Sequence, residues 1–516
     1  MPQSGDLLRL ADAVLLPGFA GRTPPDWLRR RLGQGLAGVV LFSRNIESPE
    51  QVARLTAALR AENPAVLVGT DEESGEVTRL EVASGSSRPG GYALGVVDDP
   101  ALTEAVACDL GTDLARAGIT IDFAPSADVN SNPDNPVIGL RAFGADPALV
   151  ARHTRAFVRG LQAAGVAACV KHFPGHGDTS VDSHHGVPVV AGDRVEEALL
   201  PFREAIREGV KAVMTGHLLV PSYDAELPAT LSPKLLTGLL REELGFDGLI
   251  VTDGIEMAAV TAAYGIGGAS ARAIAAGADA ICVGGERADE ATAAGIRDAI
   301  AAAVTEGLLP EERLADAARR VRELAAWSAS SGSPAALDDP RGPGARDARS
   351  GPAAPDGSGG PGFGLGLVAA RRAVRVTRRS TAPVLPLSGP ARVVELSPEM
   401  NLAIDGGTPW GVGEPLARLL PGTEVTRLTA GETTGAELER LIAAATGRPL
   451  VVVVRDAHRH PWQGEALRHL LCARPDAVVV EMGLPARSDL GAVHIATYGS
   501  ARVCGQAAAE VLTGRL

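Results

Sequence analysis

The chain has 516 residues, 45% of them hydrophobic and 3% aromatic, with a formal net charge of −13. That length exceeds what one hydrophobic core usually serves and implies two domains, and no apolar run approaches the roughly 20 residues needed to cross a bilayer. The acidic balance disfavours nucleic acid and anionic membrane as partners, since both need basic surface to displace counterions, and leaves a small neutral substrate as the expectation.

Taken from the N-terminus, the first ten residues lack a basic segment followed by an apolar signal core, so a cytoplasmic location is expected. Eight short apolar runs follow, at 13–16, 38–42, 66–70, 119–124, 168–172, 212–217, 249–253 and 280–284. Amphipathic stretches such as 49–61, 149–164 and 194–208 separate them. Strands joined by crossover helices read this way, and eight βα units predict a (β/α)8 TIM-type barrel over residues 1–327. Residues 328–380 are rich in Gly, Pro and Ser and read as a linker and lead-in, because such a tract buries too little apolar surface to fold. Past it, strands at 391–396, 450–455 and 477–481 alternate with helices at 436–445, 463–472 and 500–513, predicting a smaller C-terminal α/β domain over 381–516. The five cysteines, Cys108, Cys169, Cys282, Cys472 and Cys504, are odd in number and widely spaced. They read as small core residues rather than a disulfide framework or zinc cluster.

The chemistry concentrates after the fifth run. Lys171-His172-Phe173-Pro174-Gly175-His176-Gly177-Asp178-Thr179-Ser180-Val181-Asp182-Ser183-His184-His185 holds four histidines, two aspartates and a lysine in fifteen residues. Packing does not call for such a density of titratable groups, whereas a loop at the mouth of a cleft can use it for proton transfer. Polar residues also recur where strands end: Asp71, Asp128, Lys171, His172, His217 and Asp253, with Arg141 following the fourth strand. In a barrel these ends share one rim, which is where catalytic groups gather. Any one aspartate there reads equally well as a helix cap or turn former; several on one rim do not.

Residues 171–184 resemble the signature loop of family 3 glycoside hydrolases of the β-N-acetylglucosaminidase (NagZ) type. Further segments match in the same order: Gly38-Val-Val-Leu-Phe-Ser-Arg-Asn45, Asp71-Glu-Glu-Ser-Gly75, Phe123-Ala-Pro-Ser-Ala-Asp-Val-Asn130, Asn135-Pro-Val-Ile-Gly-Leu-Arg141 and Val213-Met-Thr-Gly-His217. The last is Leu249-Ile-Val-Thr-Asp-Gly-Ile-Glu-Met257. The resemblance covers roughly residues 10 to 325 and implies a retaining exo-glycosidase acting on terminal non-reducing β-linked N-acetylglucosamine, in cell-wall recycling fragments or chitooligosaccharides. By the same resemblance Asp253 is the nucleophile and His184, oriented by Asp182, the acid/base. Asp71, Arg141, Lys171, His172 and His217 then hold the sugar, with no cofactor or metal. An imidazole suits the acid/base role because it titrates near neutrality without a large shift. His176 and Asp178 read instead as internal supports of their loop.

The chain departs from the family pattern at Ser74, where a glycine is usual, and at Gly254, where a second aspartate normally follows the nucleophile. Three alternatives stay open at this point. In one, phosphate replaces water as acceptor, making a phosphorylase, since a neutral imidazole repels a dianion less than a carboxylate does. In another, His172, His176, His184, His217 and Asp253 bind a metal in a barrel hydrolase. In the third, the chain binds sugar without catalysis. The run Arg455-Asp456-Ala457-His458-Arg459-His460-Pro461-Trp462 is polar, follows a strand and reads as a solvated loop.

Overall fold

The computed structural model describes residues 4–181, 186–190, 192, 194–285, 289–331, 361–379, 384–401 and 403–516. The chain forms two compact units. The first comprises Met1–Glu73, Pro100–Ile138 and Ala142–Gly351, and the second Ser74–Asp99, Gly139–Arg141 and Pro352–Leu516.

Among the described residues the first unit holds strands β1 (Leu15–Pro17), β2 (Gly38–Leu41), β3 (Leu67–Thr70), β4 (Ile121–Asp122), β5 (Ala167–Phe173), β6 (Ala212–Thr215), β7 (Leu249–Thr252) and β8 (Ile281–Val283). Each apolar run read from the sequence overlaps one of them, and β1 and β5 extend past theirs. β2 to β7 pair in chain order as a parallel sheet, β1 pairs with β8, and a bridge from Val251 to Ala280 ties β7 to the run that ends in β8. The sheet is curled, and side chains from it and from the β1–β8 pair share one buried cluster that includes Leu16, Val40, Leu67, Cys169, Met214 and Cys282. Burial on both faces explains why these strands read as continuous apolar runs rather than alternating ones. Helix starts follow local capping. Ser48 accepts from Gln51 N–H at 3.2 Å to open Pro49–Glu62, and Asp146 accepts from Leu149 N–H at 2.7 Å to open Pro147–Ala163.

β5 is the one strand whose pairing slips, with a register shift against β6 between Val170 and Phe173. Lys171 and His172 sit inside that shift. An irregularity of this kind re-aims side chains that a regular ladder would send to alternate faces.

The second unit is an open sheet of β9 (Arg375–Arg378), β10 (Arg392–Leu396), β11 (Glu424–Leu428), β12 (Leu450–Val454), β13 (Val478–Glu481) and β14 (Val493–Ala496). Its order is β11-β10-β12-β13-β14-β9, parallel except for β9. β9, β11 and β14 are additions to the sequence reading. β9 and β11 lie at the edges with largely exposed, charged residues, so neither presents an apolar run.

Two boundaries differ from those expected. Ser74–Asp99 and Gly139–Arg141 fall within residues 1–327 of the sequence yet pack with the second unit. Ser500 donates to Glu76 Oε1 from its backbone and its hydroxyl, Arg79 donates to Ala403 O at 3.0 Å, and Arg372 pairs with Asp99 at 2.8 Å. The stretch 328–380 also contains structure: the helix Glu311–Ser331 runs into it, and the helix Pro361–Ala373 and β9 lie within it. Composition averages over a whole tract and so passes over a short amphipathic helix at its end. The cysteines are all unpaired; Cys169, Cys282 and Cys504 are buried, Cys108 is half-buried, and Cys472 is exposed, contrary to the reading of it as a core residue. Among the described residues no helix is long and apolar enough to cross a membrane.

Candidate active site

At the carboxyl end of the curled sheet, Lys171 is 2% exposed and its Nζ lies 2.7 Å from both Asp71 Oδ1 and Glu73 Oε1. One buried cation thus gathers two carboxylates from the segment after β3. Removing the lysine would leave two like charges facing each other, a far costlier arrangement than the pair itself. Glu73 escaped the sequence reading; its signal was the acidic triplet Asp71-Glu72-Glu73, of which only the first member stood at a strand end.

Asp122, the last residue of β4, also went unremarked. Its Oδ1 accepts from Glu72 N–H at 2.9 Å, and its Oδ2 has no partner among the described residues. Burial pushes this carboxyl well above the usual range; the Glu72 N–H opposes the shift, the charges of Glu72 and Asp71 reinforce it, and Lys171 offsets part of it. A lone acid inside the apolar run 119–124 was the available signal.

His172 is oriented by Asp128, whose Oδ2 lies 2.7 Å from His172 Nδ1. Asp128 also accepts from the Ser126 hydroxyl at 2.9 Å and from the backbone N–H groups of His172 at 3.2 Å and His176 at 2.6 Å. Burial alone would raise the Asp128 carboxyl, but the imidazoles of His172 and His176 and the donated N–H outweigh it and hold it below the usual range. An acceptor fixed at Nδ1 assigns the proton to that nitrogen. His176 Nδ1 meets Thr179 Oγ1 at 2.6 Å within its own loop, whereas Asp178 Oδ1 accepts from the Ser131 hydroxyl at 2.9 Å and so ties the loop to the segment after β4 rather than to itself, as the sequence reading had it.

His217, buried after β6, bridges to the segment after β7. Its Nε2 lies 3.0 Å from Gly254 O and its Nδ1 2.8 Å from Thr230 Oγ1. A carbonyl only accepts, so Nε2 carries the proton, while the Thr230 hydroxyl beside Nδ1 also donates to Gly216 O at 3.2 Å. Asp253 is half-exposed. Its backbone N–H donates to Thr215 O at 3.2 Å and its Oδ1 accepts from Gly254 N–H at 2.7 Å. Burial first, then the charges of Glu256, Asp71 and Asp253, push the Cys282 thiol well up.

Glu256 completes this rim. Its carboxylate accepts from Gly284 N–H at 3.1 Å and from Gly285 N–H, tying the β7 loop to the end of β8. Arg44, whose guanidinium lies 4.6 Å over the Phe42 ring and donates to Gly284 O at 2.7 Å, feels the same charge.

Of the residues singled out from the sequence, the first unit brings Asp71 and Lys171 into contact and places His172, His217 and Asp253 at the same strand ends. Arg141 lies buried on the turn Gly139–Arg141 of the second unit. Asp182 and His184 lie outside the described residues. Among the described residues no three His, Cys, Asp or Glu side chains are grouped to hold a metal ion.

A family model described as the glycosyl hydrolase family 3 N terminal domain matches residues 28–324. The chain belongs to glycosyl hydrolase family 3. Among its family 3 relatives, a β-hexosaminidase A from Pseudoalteromonas piscicida is 36% identical over 262 residues, covering 46% of this chain and 44% of the relative. A β-hexosaminidase from Stenotrophomonas maltophilia strain R551-3 is 38% identical over 266 residues, covering 49% of this chain and 78% of that one. The solved structure of a glycoside hydrolase family 3 β-N-acetylglucosaminidase from Paenibacillus sp. str. FPU-7 superposes with a TM-score of 0.85 at 34% identity, over 99% of this chain and 97% of that one. The likeness to the Paenibacillus enzyme therefore extends over the Pro352–Leu516 part of the second unit, which lies beyond the family model.

Proposed function

We propose that this family 3 chain is a retaining exo-glycosidase that hydrolyses terminal non-reducing β-linked N-acetylglucosamine. The observation that carries the reading is Asp253: a half-exposed carboxylate held at a strand end by Thr215 and Gly254, on the rim that bears the Lys171-bridged Asp71 and Glu73. Two β-hexosaminidases and a β-N-acetylglucosaminidase among the relatives support the substrate class. We read the two hydrogen-bonded strand sets of the first unit as one (β/α)8 barrel.

In this mechanism Asp253 attacks the anomeric carbon as the glycosidic bond breaks, giving a covalent glycosyl-Asp intermediate. His184, oriented by Asp182, protonates the leaving oxygen and then takes a proton from the attacking water, which displaces Asp253 with net retention. Asp71, Arg141, Lys171 and His172 bind the sugar hydroxyls, their charged hydrogen bonds being stronger than neutral ones. His217 acts as a positioning residue, because its Nε2–H holds the carbonyl of the residue after the nucleophile.

Release of 4-nitrophenol from its β-N-acetylglucosaminide and its β-glucoside by wild type, Asp253→Ala and His184→Ala tests this. Cleavage selective for the N-acetyl substrate, lost in Asp253→Ala and reduced about 10²–10⁴-fold in His184→Ala, is expected. Glucoside cleavage indifferent to His184 would overturn the acid/base assignment. A sugar 1-phosphate product in phosphate buffer would make the enzyme a phosphorylase. Chitobiose and a muramic-acid-containing disaccharide, compared as natural substrates, divide the two proposed sources.

A further inference from the structure

The second unit concentrates positive charge on a loop to which the reaction above assigns no role, though the loop neighbours the turn that carries Arg141. β12 ends at Val454 and the helix Pro461–Ala473 begins after six intervening residues, Arg455-Asp456-Ala457-His458-Arg459-His460. The chain passes from β10 to β11 on one side and returns to β12 on the other, so the carboxyl ends of β10 and β12 flank the switch point of the sheet. Open α/β sheets leave a crevice there, because the connections depart to opposite faces.

Arg455 decides what that crevice suits. The residue is only 5% exposed, and its guanidinium makes a single hydrogen bond, from Nη1 to Met400 Sδ at 3.0 Å. Among the described residues it has no ion pair. A thioether is a weak acceptor, and none of the guanidinium nitrogens is among the polar atoms shut off from solvent without a partner, so a largely buried side chain keeps its charged end open to a ligand, with no ion pair among the described residues. The arrangement is held in place: Arg455 N–H donates to Gln463 Oε1 at 3.1 Å, and Gln463 Nε2 donates back to Arg455 O at 3.0 Å.

Arg459, half-buried, likewise has no ion pair among the described residues, and its Nη1 comes within 4.0 Å of where a β-carbon at Gly139 would sit, beside the turn that carries Arg141. The one acid of the run is otherwise engaged. Asp456, with φ +53°, accepts from Leu484 N–H at 2.7 Å through Oδ1, and its own N–H donates to Glu481 Oε1 at 2.9 Å. The positive end of the following thirteen-residue helix adds to the same field. Burial holds the His460 imidazole below its ordinary range; Asp456 opposes that shift, and Arg459, Arg455 and His458 reinforce it.

We propose that this crevice of the second unit is an oxyanion site, taking the phosphate or carboxylate group of a small molecule between the guanidinium groups of Arg455 and Arg459. A guanidinium fork matches either group in a bidentate way, and the bound anion supplies a counter-charge to Arg455. The site does not depend on the hydrolase reading.

The test uses the full-length chain with inorganic phosphate and, separately, D-lactate, at ionic strength held constant with chloride. Two readouts are followed, the melting midpoint and the NMR titration of the His460 imidazole. In wild type at least one anion should raise the midpoint saturably and move the His460 pKa upward. A response to phosphate alone assigns the phosphate source, and one to lactate alone the carboxylate source. Arg455→Met should lose both responses and melt higher than wild type in anion-free buffer, since it removes a largely buried cation that has no ion pair among the described residues. Arg459→Gln, at a half-buried position, should weaken binding about tenfold, the worth of one charge-assisted hydrogen bond. Asp253→Ala should respond as wild type, so failure of this site is read apart from failure of the hydrolase reading. Absence of any response in wild type up to tens of millimolar anion, or responses unchanged in Arg459→Gln, overturns the proposal.

Discussion

A β-carbon added at Gly254 would lie 3.2 Å from Glu256 Oε1, closer than side chains normally approach. Glu256 cannot easily withdraw, because Gly284 and Gly285 N–H hold its carboxylate. The position where the resemblance leads one to expect a second aspartate is therefore bordered, in this chain, by a carboxylate arriving from two residues further on. Gly254→Asp would crowd Asp253, Glu256 and the new carboxylate together, and like charges raise one another's pKa. We expect the acid limb of the kcat–pH profile to move upward and kcat near neutrality to fall about tenfold, with Glu256→Ser in the same chain restoring both. A profile unchanged in the single variant would show that the two positions do not communicate. The loss at 254 was legible in the sequence as a missing charge. Its neighbour at 256 was not, because only the turn after β7 brings the two into one space.

Among the elements, β13 carries the clearest pH dependence. Glu481, its last residue, is buried and accepts from Asp456 N–H at 2.9 Å and Gly483 N–H at 2.7 Å. Burial, then the nearby charge of Asp456, push its carboxyl up to about 8 from 4.5, against the pull of those donors. The folded state thus keeps a proton that the unfolded chain releases between those values. The stability this group contributes is fully present below pH 4.5 and is lost as pH rises toward about 8. Glu481→Gln should narrow the gap between the melting midpoints measured near pH 5 and near pH 8, chiefly by raising the latter. An unchanged gap would show that Glu481 does not titrate in this window. β5 makes the converse point about legibility. Its polar end, Lys171 and His172, stood out in the sequence, but the register shift that turns them was invisible because it depends on pairing with β6.

At the scale of the molecule, the second unit is built from chain on both sides of residues 332–360. Glu76 meets Ser500, Arg79 meets Ala403, and a β-carbon at Gly366 would collide with Ser87 O. A protease site inserted within 332–360 should therefore yield two fragments that co-elute after cleavage, while residues 361–516 produced alone should not fold cooperatively. A folded, monomeric 361–516 fragment would show that Ser74–Asp99 is dispensable to that unit. By itself the sequence determined the eight strand runs of the first unit and the strand-end positions of Asp71, Lys171, His172, His217 and Asp253, because burial of parallel strands and the residues that end them are written in local, contiguous pattern. Only the tertiary structure decided which unit Ser74–Asp99 joins, that Glu73 shares Lys171 with Asp71, that Glu256 borders Gly254 and that Arg455 is buried with no ion pair among the described residues. Each of these depends on groups distant in sequence meeting in space, where burial strengthens electrostatics and chain order carries no record of the meeting.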